Sequence, residues 1–443
     1  MSRFARYLLC TMVAASVCAG SAGAQLLGGA GLLGLPAPVG NVPVAGPMLQ
    51  NVLGSPQLQQ QVVQPTLNGV GGLPIIVAES GSSTLANLRR MRLQTLIGQN
   101  RDVLEPDEHG LPVRRGVLIA ADPDRVSLES AGRAGFPIAG EEVEQSLGLR
   151  LVKLAIPRGI STRDALKRLR KAAPGLQVDY DHVFEPAGGS LMPIAASLAS
   201  LSGAGNGRVI GMIDGGVASH PSLAGSTIEQ NGFAGAPKPT GHGTAVASLL
   251  VGSQGPFRGA ANGAQLYVAD VYGGSSAAGS ASAIVQALGW LASHGTQVIN
   301  ISLVGPPNAV IARAVQAVQR RGIRVVAAVG NDGPAAPPQY PASYPGVLSV
   351  TAVDAKGRAL PEAGKPTHLD FAAPGADMAA ALPGQGYARV RGTSFAAPLA
   401  AARLALGGSP ERLAAEARPG SGRVGRGIVC FQCRVDPRLV GTK

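Results

Sequence analysis

The chain has 443 residues, enough for two or three domains with hydrophobic cores, and its hydrophobic fraction of 45% fits globular domains. A formal net charge of +12 would suit a nucleic-acid partner, but the basic residues are scattered through the first half and the C-terminal tail. They have little aromatic interleaving, so we expect no binding to nucleic acid.

The first 24 residues predict a signal peptide. Arg3 and Arg6 precede a short apolar stretch at 7–17, and Ala22-Gly23-Ala24 fits a small-residue cleavage site. The apolar stretch is shorter than the roughly 20 residues that a membrane-spanning helix needs, so we expect no transmembrane segment. The mature protein is therefore expected to begin at Gln25 and to be secreted, either to the periplasm or to the extracellular space.

Residues 25–84 are predicted to form a low-complexity linker, because residues 25–78 contain no Asp, Glu, Lys or Arg. The next stretch, 85–97, has apolar residues at helical spacing and predicts a short amphipathic helix. We interpret its basic residues as a solvated face: Arg89, Arg90 and Arg92.

Residues 85–186 are predicted to form an α+β region with a compact module at 116–184. Strands are expected at 116–120 and 149–154, the second from its alternating apolar residues. Ser161 can cap a helix that runs to Lys171, and a last strand follows at 177–184. A Ser/Gly/Ala-rich linker is expected at 187–207.

Residues 208–407 alternate short apolar strands with Ala-rich helices. This order predicts an α/β domain, a parallel sheet flanked by helices on both faces. The strands are expected at 208–213, 266–271, 297–303 and 323–329, and the helices at 241–251, 281–294, 308–321 and 393–406.

Residues 408–443 form a basic C-terminal tail that contains Cys430-Phe431-Gln432-Cys433. In an oxidising compartment this pair is expected to form a short-loop disulfide. A metal site would need two further ligands, and a redox site would need a thioredoxin-like βαβ context. The sequence offers neither nearby, so we interpret the pair as structural.

Three segments carry candidate catalytic residues. Asp214 ends an apolar strand, where active sites collect in α/β sheets, and two glycines follow it. His242 lies between glycines at the start of a helix, and Ser394 opens another helix after Gly392-Thr393. Singly, these residues could be a turn cap, a structural histidine and a helix N-cap. Together they supply the acid, base and nucleophile of a serine hydrolase.

Asn331 is a candidate hydrogen-bond donor for the oxyanion, a role that the side chains of Asp214, His242 and Ser394 do not fill. It follows the apolar strand Val325-Val326-Ala327-Ala328-Val329-Gly330, and its side-chain amide can donate a hydrogen bond to an oxyanion, together with the backbone N–H of Ser394.

These motifs resemble the subtilisin family of serine proteases, the subtilases, over about residues 205–407. Further similar segments are Val298-Ile299-Asn300-Ile301-Ser302-Leu303, Tyr340-Pro341-Ala342-Ser343-Tyr344-Pro345 and Phe371-Ala372-Ala373-Pro374-Gly375.

The resemblance implies a catalytic triad of Asp214, His242 and Ser394, with Asn331 in the oxyanion hole. It also implies that Ser302, Leu303 and Val304 bind a substrate strand, and that the walls of the primary pocket are these residues with Ala328, Val329 and Gly330. The module at 116–184 lies where the family keeps an inhibitory propeptide that assists folding. A cut would then fall between Pro186 and Gly207.

Three departures from the family are visible. Gly215 stands where Ser or Thr is usual, which predicts looser hydrogen bonding around the Asp214 carboxylate. Val304 stands where Gly is common, which predicts a narrower subsite. The catalytic region is short, and its loops carry no acidic cluster suited to calcium, so we expect neither a metal nor a cofactor.

The sequence leaves two functions open and argues against a third. The first is an active endopeptidase that acts on protein or peptide substrates. The second is a non-catalytic binding protein that kept the subtilase fold. The third, an esterase, would show a Gly-x-Ser-x-Gly motif and the order Ser, acid, His, and neither fits this chain.

Overall fold

A computed structural model describes residues 82–194, 207–384 and 386–441 of the chain. The predicted signal peptide, nearly all of the linker predicted at 25–84 and most of that predicted at 187–207 lie outside these residues. No helix of the described ranges is long and apolar enough to cross a membrane.

The N-terminal part combines one long helix with an α+β module. Its elements are α1 (Ser82–Gln99), β1 (Leu104–Pro106), β2 (Pro112–Ala121), α2 (Arg125–Arg133), β3 (Ile138–Glu144), β4 (Leu149–Ala155), α3 (Thr162–Ala172), β5 (Val178–His182), β6 (Glu185–Pro186) and β7 (Ser190–Ile194). Strands β1, β2, β4 and β3 form an antiparallel sheet in this order, and β5 pairs with β2. The predicted cap is present, because Ser161 accepts a hydrogen bond from the Asp164 N–H at the start of α3.

The module sheet is apolar on both faces, as the alternation of strand side chains allows. On β2, Leu118 and Ala120 join the core beneath α2 and α3. Ile119 and Ala121 lie on the opposite face and join the core of the following domain. The module therefore packs against the C-terminal domain through one face of its sheet.

The C-terminal domain is built on a seven-stranded sheet of order β17-β16-β15-β13-β8-β12-β9, in which every pairing is parallel. Its strands are β8 (Val209–Asp214), β9 (Ile228–Gly232), β12 (Gln265–Asp270), β13 (Val298–Ile301), β15 (Arg324–Ala328), β16 (Leu348–Val353) and β17 (Phe371–Pro374). The long helices are α4 (Gly241–Val251), α5 (Ala281–Ser293), α6 (Ala309–Arg320) and α7 (Thr393–Ala405).

The predicted parallel sheet flanked by helices is confirmed. Helices α4 and α7 are buried almost throughout, which their run of small and apolar residues allows. Helices α5 and α6 contact each other and also the module sheet. Strands β9, β16 and β17 are additional to the predicted ones.

Short strands and a C-terminal stretch complete the domain. They are β10 (Ser253–Gln254), β11 (Phe257–Arg258), β14 (Leu303–Val304), β18 (Met378–Ala381), β19 (Tyr387–Arg391), α8 (Pro410–Glu416) and α9 (Pro437–Val440). The predicted disulfide between Cys430 and Cys433 is present. The stretch packs back on the domain, where Ala379 N–H donates to the Val435 carbonyl at 2.9 Å.

Candidate active site

Asp214 and His242, the first two residues of the predicted triad, lie side by side. Asp214 is the fully buried last residue of β8, and His242 is the second residue of α4. His242 Nδ1 lies 2.9 Å from Asp214 Oδ1, which also accepts a 2.7 Å hydrogen bond from the Gly215 N–H. With Nδ1 bound to the carboxylate, Nε2 is the ring nitrogen that can take up a proton. Within the described ranges, His242 Nε2 and Asp214 Oδ2 have no hydrogen-bond partner.

Close backbone packing brings the histidine to the aspartate. A Cβ at Gly243 would lie 2.2 Å from the Gly215 carbonyl oxygen, so only glycine fits there. A Cβ at Gly215 would lie 2.5 Å from Thr240 Oγ1, the atom that caps α4 by accepting from the Gly243 N–H. The unusual Gly215 is thus required by the tight contact between the α4 cap and the loop after β8.

Ser394 lies in the first turn of α7 and is fully buried. Its Oγ donates a 3.0 Å hydrogen bond to the carbonyl oxygen of Gly188, in the segment that follows β6. The ring of Phe395, the next residue, lies 5.5 Å from the ring of His242, centroid to centroid. The serine hydroxyl therefore faces a segment of the chain itself, close to the Asp214–His242 pair.

Asn331 directs its amide at the same segment. Its Nδ2 donates to the carbonyl oxygens of Ala187 at 2.6 Å and Gly188 at 2.9 Å. Its Oδ1 accepts from the Thr393 N–H at 3.0 Å, which fixes the side chain against the start of α7. The Asn331 amide therefore contacts two consecutive carbonyl oxygens of this segment, and the Ser394 hydroxyl contacts the second of them. An amide donor aimed at a carbonyl oxygen beside a serine hydroxyl is the arrangement that stabilises a tetrahedral oxyanion.

The segment before Gly188 pairs with the predicted substrate-binding strand. Strand β6 runs antiparallel to β14, with Leu303 opposite Pro186 and Val304 opposite Glu185. The Ala187 N–H donates to the Ser302 carbonyl at 2.7 Å, and Ser302 Oγ donates to the Ser394 carbonyl at 3.0 Å. Main-chain pairing of this kind binds an extended peptide with little regard to its side chains.

The other predicted pocket residues lie behind this strand. Ala328 and Val329 are buried, and the Gly330 N–H donates to Thr393 Oγ1 at 3.1 Å. A Cβ at Gly330 would lie 3.3 Å from Val304 Cγ1, so Val304 and Gly330 are close neighbours. The wall that these residues form carries no charged side chain.

Phe184 anchors the segment farther along the cleft. Its side chain is fully buried, and a Cβ at Gly305 would lie 2.5 Å from its ring. The Phe184 N–H donates to the Gly279 carbonyl at 2.7 Å, and its own carbonyl accepts from the Tyr272 hydroxyl at 3.1 Å. Burial raises the pKa of Tyr272 well above 10, so the phenol keeps its proton for this bond.

Beyond Gly188 the segment continues along the opposite side of the cleft. Strand β7 pairs antiparallel with β19, from Ser190 opposite Arg391 to Ile194 opposite Tyr387. A Cβ at Gly189 would lie 2.6 Å from the Phe395 ring. The sequence predicted a linker here and did not indicate that the chain runs through the cleft. The Gly188-Gly189 pair was the feature that could have indicated such close packing.

The described residues contain no group of three or more His, Cys, Asp or Glu side chains that could hold a metal ion. The candidate site brings together an acid–imidazole pair, a buried serine hydroxyl, an amide donor and a strand that pairs with a peptide. These are the groups that acyl transfer by a serine nucleophile requires.

Comparison with known proteins gives the same class. A sequence model of the subtilase family matches residues 205–411. Subtilisin Savinase from Lederbergia lenta is 36% identical over 207 residues, which are 46% of this chain and 76% of that protein. Subtilisin E from Bacillus subtilis is 32% identical over 259 residues, 55% of this chain and 67% of that protein. The chain belongs to the subtilase family of serine endopeptidases.

Other relatives are longer than the part that matches. The alkaline protease of Alkalihalobacillus alcalophilus is 36% identical over 207 residues, and the match spans 54% of it. Among solved structures, fervidolysin from Fervidobacterium pennivorans aligns with a TM-score of 0.60 at 18% identity, covering 72% of this chain and 61% of that one. This likeness establishes a shared fold.

Proposed function

We propose that the chain is the precursor of a secreted serine endopeptidase with Asp214, His242 and Ser394 as its triad. The N-terminal region, with the module at 116–184, acts as an inhibitory prosegment that the enzyme cuts from itself. The observation that carries this proposal is the segment in the cleft, where the Ala187 and Gly188 carbonyls meet Asn331 and Ser394. Export follows from the signal peptide expected at 1–24.

The chemistry begins with Ser394 Oγ, which attacks the carbonyl carbon while His242 Nε2 takes the hydroxyl proton. Asp214 stabilises the imidazolium through the Nδ1 bond, and Asn331 Nδ2 binds the oxyanion. The tetrahedral intermediate collapses to an acyl-enzyme as His242 returns the proton to the leaving amine. Water then attacks the acyl carbon by the same route, which frees the carboxylic acid and restores Ser394.

We place the scissile bond between Ala187 and Gly188. The Ala187 N–H is the last one paired with the substrate-binding strand, and of the two carbonyls bound by Asn331 that of Ala187 is the closer. Gly188 has a φ of +78°, so the extended backbone of β6 turns at this point. This position lies within the stretch, Pro186 to Gly207, expected from the sequence.

The inhibitory role of the module is supported by how its last strand meets the catalytic domain. Asp179 Oδ2 accepts from the Ala309 N–H at 2.8 Å, at the start of α6. Asp181 accepts from the N–H and the hydroxyl of Ser282, at 2.8 and 2.9 Å, at the start of α5. Two carboxylates thus lie at the positive ends of two helix dipoles. This complementarity orients β5 so that the chain leaves it directly into the cleft.

The test compares the wild-type chain with Ser394→Ala and with Ser293→Ala, an exposed serine at the end of α5. The wild type and Ser293→Ala should cut themselves, and N-terminal sequencing should find a mature chain that begins with Gly188. Ser394→Ala should stay uncut beyond removal of the signal peptide and should not react with a fluorophosphonate.

Three outcomes would count against the proposal. A wild-type chain that reacts with no fluorophosphonate and hydrolyses no peptide would favour a non-catalytic binding protein. Labelling of Ser394→Ala would mean another nucleophile. An active wild-type chain that stays full length would leave the module as an ordinary accessory domain.

A further inference from the structure

Helix α1 lies against the catalytic domain close to the candidate active site, outside the module sheet. Leu85 is buried, and a Cβ at Gly333 would lie 3.0 Å from its Cδ1. One turn on, Arg89 Nη2 donates to Gln339 Oε1 at 3.3 Å, and Arg89 Nε lies 3.0 Å from Asp332 Oδ2. The basic face predicted to be solvated is therefore partly docked on protein.

Arg92 connects three parts of the molecule. Its Nε and Nη2 donate to Glu185 Oε1 at 3.0 Å and Oε2 at 3.3 Å, a two-point contact. The same Nη2 donates to Asp332 Oδ1 at 3.2 Å. Glu185 lies in β6, two residues before Ala187, and Asp332 follows Asn331. One guanidinium thus ties α1 both to the segment in the cleft and to the residue next to the oxyanion donor.

The charges make this contact a strong one. The side chains of Glu185 and Asp332 are each only 8% exposed, and that of Arg92 is 29% exposed. Burial by itself would lower the pKa of Arg92, but the carboxylates of Glu185 and Asp332 raise it above its usual value. Two carboxylates that have left water need such a cation between them, because an unpaired buried charge is very costly.

We propose that α1 is a second anchor of the prosegment, a basic helix that docks on a catalytic-domain surface formed by Asp332, Gly333 and Gln339. This inference rests on the proposed function. Cutting after Ala187 leaves the prosegment bound only by non-covalent contacts, and β6 contributes a pairing of just two residues with β14. The α1 anchor holds Glu185 in place after the cut and delays the release of the active enzyme.

The experiment uses the full-length chain and follows two events in one time course. Self-cutting is followed by gel electrophoresis, and free enzyme is followed by hydrolysis of a fluorogenic peptide. Arg92→Gln and the double variant Arg89→Gln, Arg92→Gln remove the anchor. Arg90→Gln is the matched control, because Arg90 is an exposed arginine on the same helix.

The anchor variants should cut at the wild-type position. Their lag between cutting and activity should be about 30-fold shorter than that of the wild type, as expected when one partner of a buried charge pair is truncated. Arg90→Gln should keep the wild-type lag within roughly twofold, as for surface changes. High salt should shorten the lag of the wild type more than that of the double variant, because Arg92 is partly exposed and salt screens partly exposed ion pairs, whereas ion pairs such as Arg313–Asp122 remain in both proteins.

An unchanged lag in Arg92→Gln would overturn the inference, as would an equal effect of Arg90→Gln. If Arg92→Gln does not accumulate as folded protein, Glu185→Gln and the salt dependence of the wild type are measured instead, and both changes should shorten the lag. A lag that neither of them changes would also overturn the inference. Failure of the proposed function looks different, since the wild-type chain would then neither cut itself nor hydrolyse the peptide.

Discussion

Asn331→Ala removes one of the two donors that we propose for the oxyanion. The lost contact is the hydrogen bond from Asn331 Nδ2 to the Ala187 carbonyl oxygen, 2.6 Å long and partly buried. Loss of a single donor of this kind costs on the order of 10²–10³ in kcat, about 2.7–4 kcal/mol of transition-state stabilisation. We expect KM to change little, because the strand pairing with β14, which binds the ground state, remains.

The assay measures kcat and KM of the matured enzyme with a fluorogenic peptide, and separately the rate at which the precursor cuts itself. Both rates should fall by a similar factor, because the same oxyanion donor serves both reactions. Rates are normalised to active sites counted by fluorophosphonate labelling carried to completion.

Asn331→Asp separates this role from a structural one. Asn331 Oδ1 also accepts from the Thr393 N–H, and an aspartate keeps an acceptor there while it loses the donor. If Asn331 only steadied the start of α7, Asn331→Asp would retain nearly full activity. A fall in kcat of less than roughly tenfold in Asn331→Asp would refute the oxyanion role.

Three further outcomes are expected. Val304→Gly should widen the uncharged primary pocket, so that the residue preferred before the cleaved bond in a peptide library changes from small or neutral residues to large aromatic ones. A wild-type preference for Arg or Lys would contradict this interpretation. Asp107→Asn should destabilise the chain less at acid pH than at neutral pH. Burial alone would raise the pKa of Asp107, but hydrogen bonds from His182 and two backbone N–H groups hold that pKa below 3.8. Its carboxylate therefore stabilises the fold above that pH and loses this effect as the pH falls through the lowered pKa, which urea unfolding in a Ser394→Ala background measures; a gap that widens in acid would contradict it. Replacing Cys430 and Cys433 together by serine should cost about 2 kcal/mol, since a disulfide across so short a loop restrains few unfolded conformations, and an unchanged midpoint of unfolding would count against it.

The sequence by itself predicted four strands of the seven-stranded sheet, the four long helices of the catalytic domain and the candidate triad, but not β9, β16 and β17. The helix expected at 281–294 is Ala281–Ser293, and the strand expected at 323–329 is Arg324–Ala328. These elements are readable because their signals are local: apolar runs, helix caps and glycines. Asp214, His242 and Ser394 were readable for the same reason, since each stands at the end of a strand or the start of a helix.

Only the tertiary structure decided what occupies the cleft. Arg92 lies 93 residues from Glu185 and 240 residues from Asp332 along the chain, and no local pattern encodes such pairings. A basic helix face looks the same in a sequence whether water or carboxylates cover it, so the solvated reading of Arg89 and Arg92 was wrong. The position of Ala187 against Asn331 likewise depends on how the module sheet docks on α5 and α6, because that docking sets where the chain after β5 enters the active site.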